Sequence, residues 1–372
     1  MKKIVYSVAV LSLLVGGYLA LTTVNPETPV AVAAKKTYTG TMYVAGMGGH
    51  FAVADVTIDP NDVNEPIKMN KLDMLDIGGK THPTHDARID VNDRNKMYWS
   101  TYKYDAAENG KLHVGVSDLK TGAVIKDVAL EKPARVTFAG ANYCGSGQSK
   151  DYYMPISMSD EGYLDVIDKK TLEVKHRVFF DDLGIKAGET TFAHGINTPD
   201  MKYFLLTLND TPTGHTKWTG NTRLIKLEMA ALEQGKMKKV AEALITGKPK
   251  DASGGTITFR QYYSDDGKLL FQSGGDRGYL IDAETLKVLH EITPLPGENH
   301  DIIPTPDGKY AVMTLREKAK DFEGKDSTDG TLLLYDVEAK KTVGKTVSVC
   351  FTCHNEEKKG TAILCGLDAN WK

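Results

Sequence analysis

Three stretches of the chain repeat one another closely enough to dictate its architecture. They are HDARIDVNDRNKMYWSTY from His85, HGINTPDMKYFLLTL from His194 and HDIIPTPDGKYAVMTL from His300. Each carries a histidine, a short β-like run, a turn built on Pro or Asn with Asp, and a lysine-led step into an apolar strand. A fourth copy, FRQYYSDDGKLLFQSG from Phe259, keeps the turn and the strand but places Arg260 in the register of the histidine. Further along each copy comes a second element: LHVGVSDLKTGAVIKDV, YLDVIDKKTLEVKHRV, YLIDAETLKVLHEI and LLLYDVEAKKTVGKTV. An Asp-led polar turn between two alternating β-branched runs is a hairpin signal. Strand, Asp-Gly turn, strand, Asp turn, strand makes one four-stranded antiparallel blade, and copies beginning near residues 85, 143, 194, 258 and 300 have the spacing of propeller blades.

The expected fold is therefore all-β, a propeller of six blades with seven as the alternative. TGTMYVAGMGGHFAVADVTIDP followed by IKMNKLDML supplies a first blade that lacks its innermost strand. The tail from His354, HNEEKKGTAILCGL, echoes the copy at His300, so the chain end is expected to supply that strand and close the ring. Closure removes the open sheet edge that invites aggregation. TRLIKLEMAALEQGKMKKVAEALI is the one stretch suited to a short helix, or to a loop insertion in blade four.

Residues 1–33 have the layout of a secretory signal peptide. Met1-Lys2-Lys3 gives the positive end, Ile4 to Leu21 is uncharged and mostly apolar, and AVAA from Ala31 offers an Ala-x-Ala cut after Ala33. An uncleaved anchor is the alternative and the only route to a membrane; both place residues 37–349, the expected propeller, in the periplasm or otherwise outside the cytoplasm. With 41% hydrophobic and 26% charged residues, the composition is that of a chain able to bury a sizeable core. A net charge of -3 with no basic cluster sets nucleic acid aside as a partner. No phosphate-cradling glycine loop, nucleophile elbow or zinc-protease motif is present.

The repeat, with PDGKY after an inward histidine and YDVEAKK beyond it, resembles the YVTN-type and cytochrome-d-one-like propeller superfamily. The resemblance covers most of residues 40–349. It implies the fold; it transfers no catalytic residue, because propellers carry many chemistries.

In the tail, residues 350–372, Cys350, Cys353 and His354 spell C-x-x-C-H, the attachment pattern of a c-type haem. Two thiols at that spacing can add to the vinyl groups along one porphyrin edge, and the adjacent imidazole reaches the iron from one face. The same cysteines also suit a disulfide or, with His354 and Cys365, a zinc site. On the haem reading one covalent haem is held by Cys350 and Cys353 with His354 proximal, packed on the propeller mouth. The iron's other position falls to His300, His194, His85, His82 or His50, which are also candidates for a separate metal. Each inward histidine can instead simply bond the backbone of the next blade. Met42, Met47 and Met154 are weaker thioether candidates. Cys144, in GANYCGSG, is a candidate disulfide partner for Cys365, and Arg260 a candidate partner for a haem propionate.

Three functions follow from these residues. The first is an exported c-type cytochrome on a propeller, passing electrons to or from a partner protein. The second is a periplasmic oxidoreductase with a second haem or metal held by the channel histidines. The third is a cofactor-free binding propeller with disulfides.

Overall fold

The structure, a computed structural model, describes residues 34–46, 50–78, 84–101, 111–136, 143–158, 161–211, 218–251, 254–321, 323–353 and 364–372, with the backbone alone for 85, 87, 144 and 365. Among the described residues, twenty-four strands form six four-stranded antiparallel sheets. Blade one holds β1 (Tyr38–Gly46), β2 (Phe51–Ile58) and β3 (Ile67–Leu75). Blade two holds β4 (Thr84–Ile89), β5 (Lys96–Thr101), β6 (Leu112–Asp118) and β7 (Val124–Leu130). Blade three holds β8 (Tyr143–Gln148), β9 (Tyr152–Ser157), β10 (Tyr163–Asp168) and β11 (Val174–Phe179). Blade four holds β12 (Thr190–Asn197), β13 (Tyr203–Asp210), β14 (Asn221–Glu228) and β15 (Lys239–Thr246). Blade five holds β16 (Gln261–Tyr263), β17 (Leu269–Ser273), β18 (Gly278–Asp282) and β19 (Val288–Ile292). Blade six holds β20 (Glu298–Pro304), β21 (Tyr310–Lys320), β22 (Asp326–Asp336) and β23 (Lys341–Ser348).

The last strand, β24 (Leu364–Trp371), pairs with β1 and becomes the innermost strand of blade one. The inner strands β24, β4, β8, β12, β16 and β20 touch in that cyclic order, so the ring is closed by the chain end, with six blades rather than seven. The helical stretch of the sequence is a single turn, α1 (Met229–Leu232), set inside the hairpin from β14 to β15.

The Asp turns explain the repeat. Asp118, Asp168, Asp282 and Asp336 each accept backbone N–H groups two or three residues ahead, and the fourth residue on takes a left-handed conformation: Gly122, Leu172, Leu286 and Lys340. A short side chain that caps its own turn fixes the hairpin, and with it the register of the two outer strands. Alternating residues then project into the seams between blades. Six apolar clusters result, one for each seam. Met42 and Met154 are fully buried in two of these and serve as core.

Candidate functional site

Each inner strand begins at one face of the ring, and in five of the six, all but β16, the register breaks there. β4 breaks between Thr84 and Asp86, leaving His85 as the extra residue; β8 breaks between Tyr143 and Gly145, at Cys144. β20 breaks between Asn299 and Asp301, at His300, and β24 between Leu364 and Gly366, at Cys365. In β12 two residues, Phe192 and Ala193, oppose one between the pairs of Thr191 and His194. Bulges of this kind bend a strand and re-aim a side chain. The tail therefore aligns on the ring through Cys365, not through His354: the Cys-Gly step at 365–366 matches the one at 144–145. His354 and His82 lie outside the described residues. His50 sits half-buried in the hairpin from β1 to β2, its carbonyl accepting from Gly46 N at 3.2 Å.

His194 and His300 meet in the channel, both packed on Phe259. The His300 ring stacks on it at 4.7 Å and 17°, and His194 approaches edge-on at 6.1 Å and 84°. Gly145 makes the approach of His194 possible, since a Cβ there would lie 2.9 Å from its Cδ2. Nδ1 of His194 donates to the carbonyl of Phe192 at 3.1 Å, and Nδ1 of His300 to Asp301 Oδ2 at 2.9 Å. Each neutral ring thus keeps its lone pair on Nε2. That of His194 is buried and has no hydrogen-bond partner among the described residues. Burial, then His300 and Arg260, push the His194 imidazole well below the usual histidine range. Burial and Arg316 lower that of His300 against the pull of Asp301. Phe192, whose carbonyl fixes the His194 ring, has φ 46, a strained conformation for a bulky residue.

Beneath the imidazoles lies a buried charge layer. Arg260, fully enclosed, has Nη1 3.4 Å from Asp86 Oδ1 and Nε 3.5 Å from Asp301 Oδ1. Burial works against the Asp301 carboxylate, but His300, Arg260 and Thr314 outweigh it and bring the group down to about 2. Asp301 Oδ1 also accepts Leu367 N at 3.2 Å, tying the layer to the closing strand. Arg260, read from the sequence as a propionate partner, is thus engaged inside the channel by two carboxylates. Below it Arg88 crosses the channel, Nε donating to Ser146 O at 2.8 Å, its guanidinium 5.0 Å from the Tyr262 ring centre. Both guanidinium groups are buried inside the ring. The sequence pointed to the histidines and missed Asp86, Asp301 and Phe259, although the Asp after the histidine at 85–86 and 300–301 was a signal in plain view.

Cys350 and Cys353 form a single helical turn, α2 (Cys350–Cys353), over the seam between blades six and one. Cys353 N donates to Val349 O at 2.8 Å and Phe351 N to Asp329 Oδ1 at 3.0 Å. Residues three apart in a helical turn share a face, which suits a pair of thioethers. Cys353 is partly exposed, whereas Cys350 is 8% exposed and packs on bare Gly330, where a Cβ would lie 2.4 Å from its Sγ. The spacing fits a haem edge; the enclosure of Cys350 does not, and a thioether there requires the Gly330 contact to be given up. The side chains of His85, Cys144 and Cys365 lie outside the described residues; β8 and β24, which carry the two cysteines, flank β4. No group of three or more His, Cys, Asp or Glu side chains forms a metal cage among the described residues. Nor is any helix among them long and apolar enough to cross a membrane.

No family model matches the chain, and no curated protein matches it. Among solved structures 1083 chains are similar. One is the β-propeller domain of Myceliophteria thermophila Cps50 (Swd1), at 11% identity and a TM-score of 0.41, covering 72% of this chain and 86% of that one. Likeness at that level concerns the propeller architecture alone.

Proposed function

We propose that this protein is an exported c-type cytochrome built on a six-bladed propeller, which carries electrons between partner proteins outside the cytoplasm. Its covalent haem is held by Cys350 and Cys353, with His354 as the iron ligand. The observation that supports this reading is the C-x-x-C pair wound into one helical turn over the seam between blades six and one. The leader-like residues 1–33 support export. The haem, when bound, supplies one-electron chemistry; the chain supplies a rigid seam on which α2 is fixed by Asp329 and Val349.

The test is the intact mass and pyridine haemochrome spectrum of protein made with its leader in a host that attaches haem c, beside a Cys353→Ala variant. One covalent haem in the wild type, lost or altered in the variant, supports the reading. A wild-type mass equal to the bare chain overturns it and leaves a binding propeller.

The unpartnered Nε2 of His194 favours a second reading, in which the channel imidazoles hold a metal and the protein is a redox enzyme. A ring fixed through Nδ1 and open at Nε2 is how proteins orient a metal-bound histidine. A stoichiometric metal, lost in His194→Gln, would support that reading; the same metal content in both proteins would exclude it.

A further inference from the structure

The opposite mouth of the channel carries a second, chemically distinct feature that the electron-transfer reading does not use. Five of the six inner strands end around a cavity of about 450 Å³, the size of a small-molecule site. Arg88 and Tyr262 line it. Arg88 is 3% exposed; its Nε donates to Ser146 O and its Nη2 to Gly195 O at 3.4 Å, while Nη1 has no hydrogen-bond partner among the described residues. A buried guanidinium nitrogen with an unmade bond is costly, and it is satisfied when a ligand accepts from it.

The charge around the cavity is positive in balance. Arg88, Arg94 and Lys150 face Asp265 and Asp368. Asp368 is already committed, its Oδ2 accepting Ile89 N at 2.9 Å and its Oδ1 accepting Ala369 N at 2.8 Å. Partial burial pushes the Asp265 carboxyl up, Asp266 adds to that and Arg94 opposes it, so the second acid holds its charge less firmly than a free carboxylate. Ile196, Met201 and the Tyr262 ring form an apolar part of the remaining wall, beside the amides of Asn92, Gln148 and Asn197.

We propose that this cavity binds a small organic carboxylate with an apolar body. The carboxylate accepts from Arg88 Nη1 with Lys150 supplying long-range attraction, and the body lies against Ile196, Met201 and Tyr262. A multiply charged phosphate fits less well, because it has no apolar body to lie against Ile196, Met201 and the Tyr262 ring.

The test uses benzoate as the probe and benzamide as its neutral isostere, titrated calorimetrically into the full exported protein up to about 10 mM, the range that detects weak sites. Lys150→Ala removes an exposed charge and Val91→Trp closes the rim, neither touching the buried layer; Arg88→Gln tests the anchor itself. Saturable benzoate binding is expected, with benzamide at least tenfold weaker. Val91→Trp should abolish binding, and Lys150→Ala should weaken it several-fold at low salt only. Absence of saturable benzoate binding, equal binding of the two probes, or binding indifferent to Val91→Trp each overturns the proposal. None of these results depends on haem content, so this proposal and the cytochrome reading fail separately.

Discussion

Gly366 and Arg260 share one space: a Cβ on Gly366 would sit 2.1 Å from Nη1 of Arg260. The closing strand is bare at the point where the buried guanidinium reaches the channel wall. Arg260 cannot retreat, because Asp86 and Asp301 hold it from two other blades. Gly366→Ala should therefore cost about 2–5 kcal/mol, through overpacking and a disturbed buried ion pair. Urea denaturation measures it, and a loss below about 0.5 kcal/mol would contradict the account.

Asp301 is the hinge of three contacts: it accepts from His300 and Thr314 and from Leu367 N of the closing strand. Asp301→Asn takes one carboxylate partner from Arg260 and weakens the tie to β24. A destabilisation of about 3–5 kcal/mol is expected. Hydrogen exchange should rise first at Leu367 and Ala369; uniform exchange across all blades would argue against a specific tie to the closing strand.

Acid should weaken the fold through the imidazoles. His194 and His300 are held neutral in the folded state, while in the unfolded chain each titrates near the ordinary value of about 6.5. Below that pH the unfolded state takes up protons the folded state refuses, so stability falls as pH drops and is unaffected above it. The slope contributed is up to about 1.4 kcal/mol per pH unit for each ring. His194→Gln should make that slope shallower between pH 6.5 and 5. An unchanged slope would mean that His194 takes up its proton in the folded protein as readily as in the unfolded chain.

Gly330 makes room for both Cys350 and Leu364, with a Cβ 2.4 Å from the first and 2.5 Å from the second. Gly330→Ala should force α2 and the start of β24 apart, lowering the melting temperature by several degrees, the shift that about 1–2 kcal/mol produces in a chain of this size. If the variant melts with the wild type, Cys350 does not pack there.

The blade order was legible because each hairpin carries its own chemistry. Asp168 and its counterparts cap their turns locally, and local capping leaves a pattern in a single sequence. The returning strand was legible for the same reason of pattern, but its register was not. His354 looked like the partner of His300, whereas the bulge falls on Cys365. A bulge depends on what the strand meets across the channel, here the Arg260 guanidinium against Gly366, and that encounter joins residues far apart in the chain. The convergence of His194 and His300 could be read from the repeat; the aromatic floor of Phe259 and the strained Phe192 could not, because neither recurs.

The strand that finishes the first blade, β24, follows every other strand in chain order. During translation, β1 must wait with one unpaired edge until the other five blades have been made. A ribosome that stalls short of residue 364 releases a chain whose first blade is open at the edge β24 covers, with Arg260 lacking the wall it packs on. Products that stop short of β24 should thus be recognised and degraded like gross truncations, although they carry five whole blades.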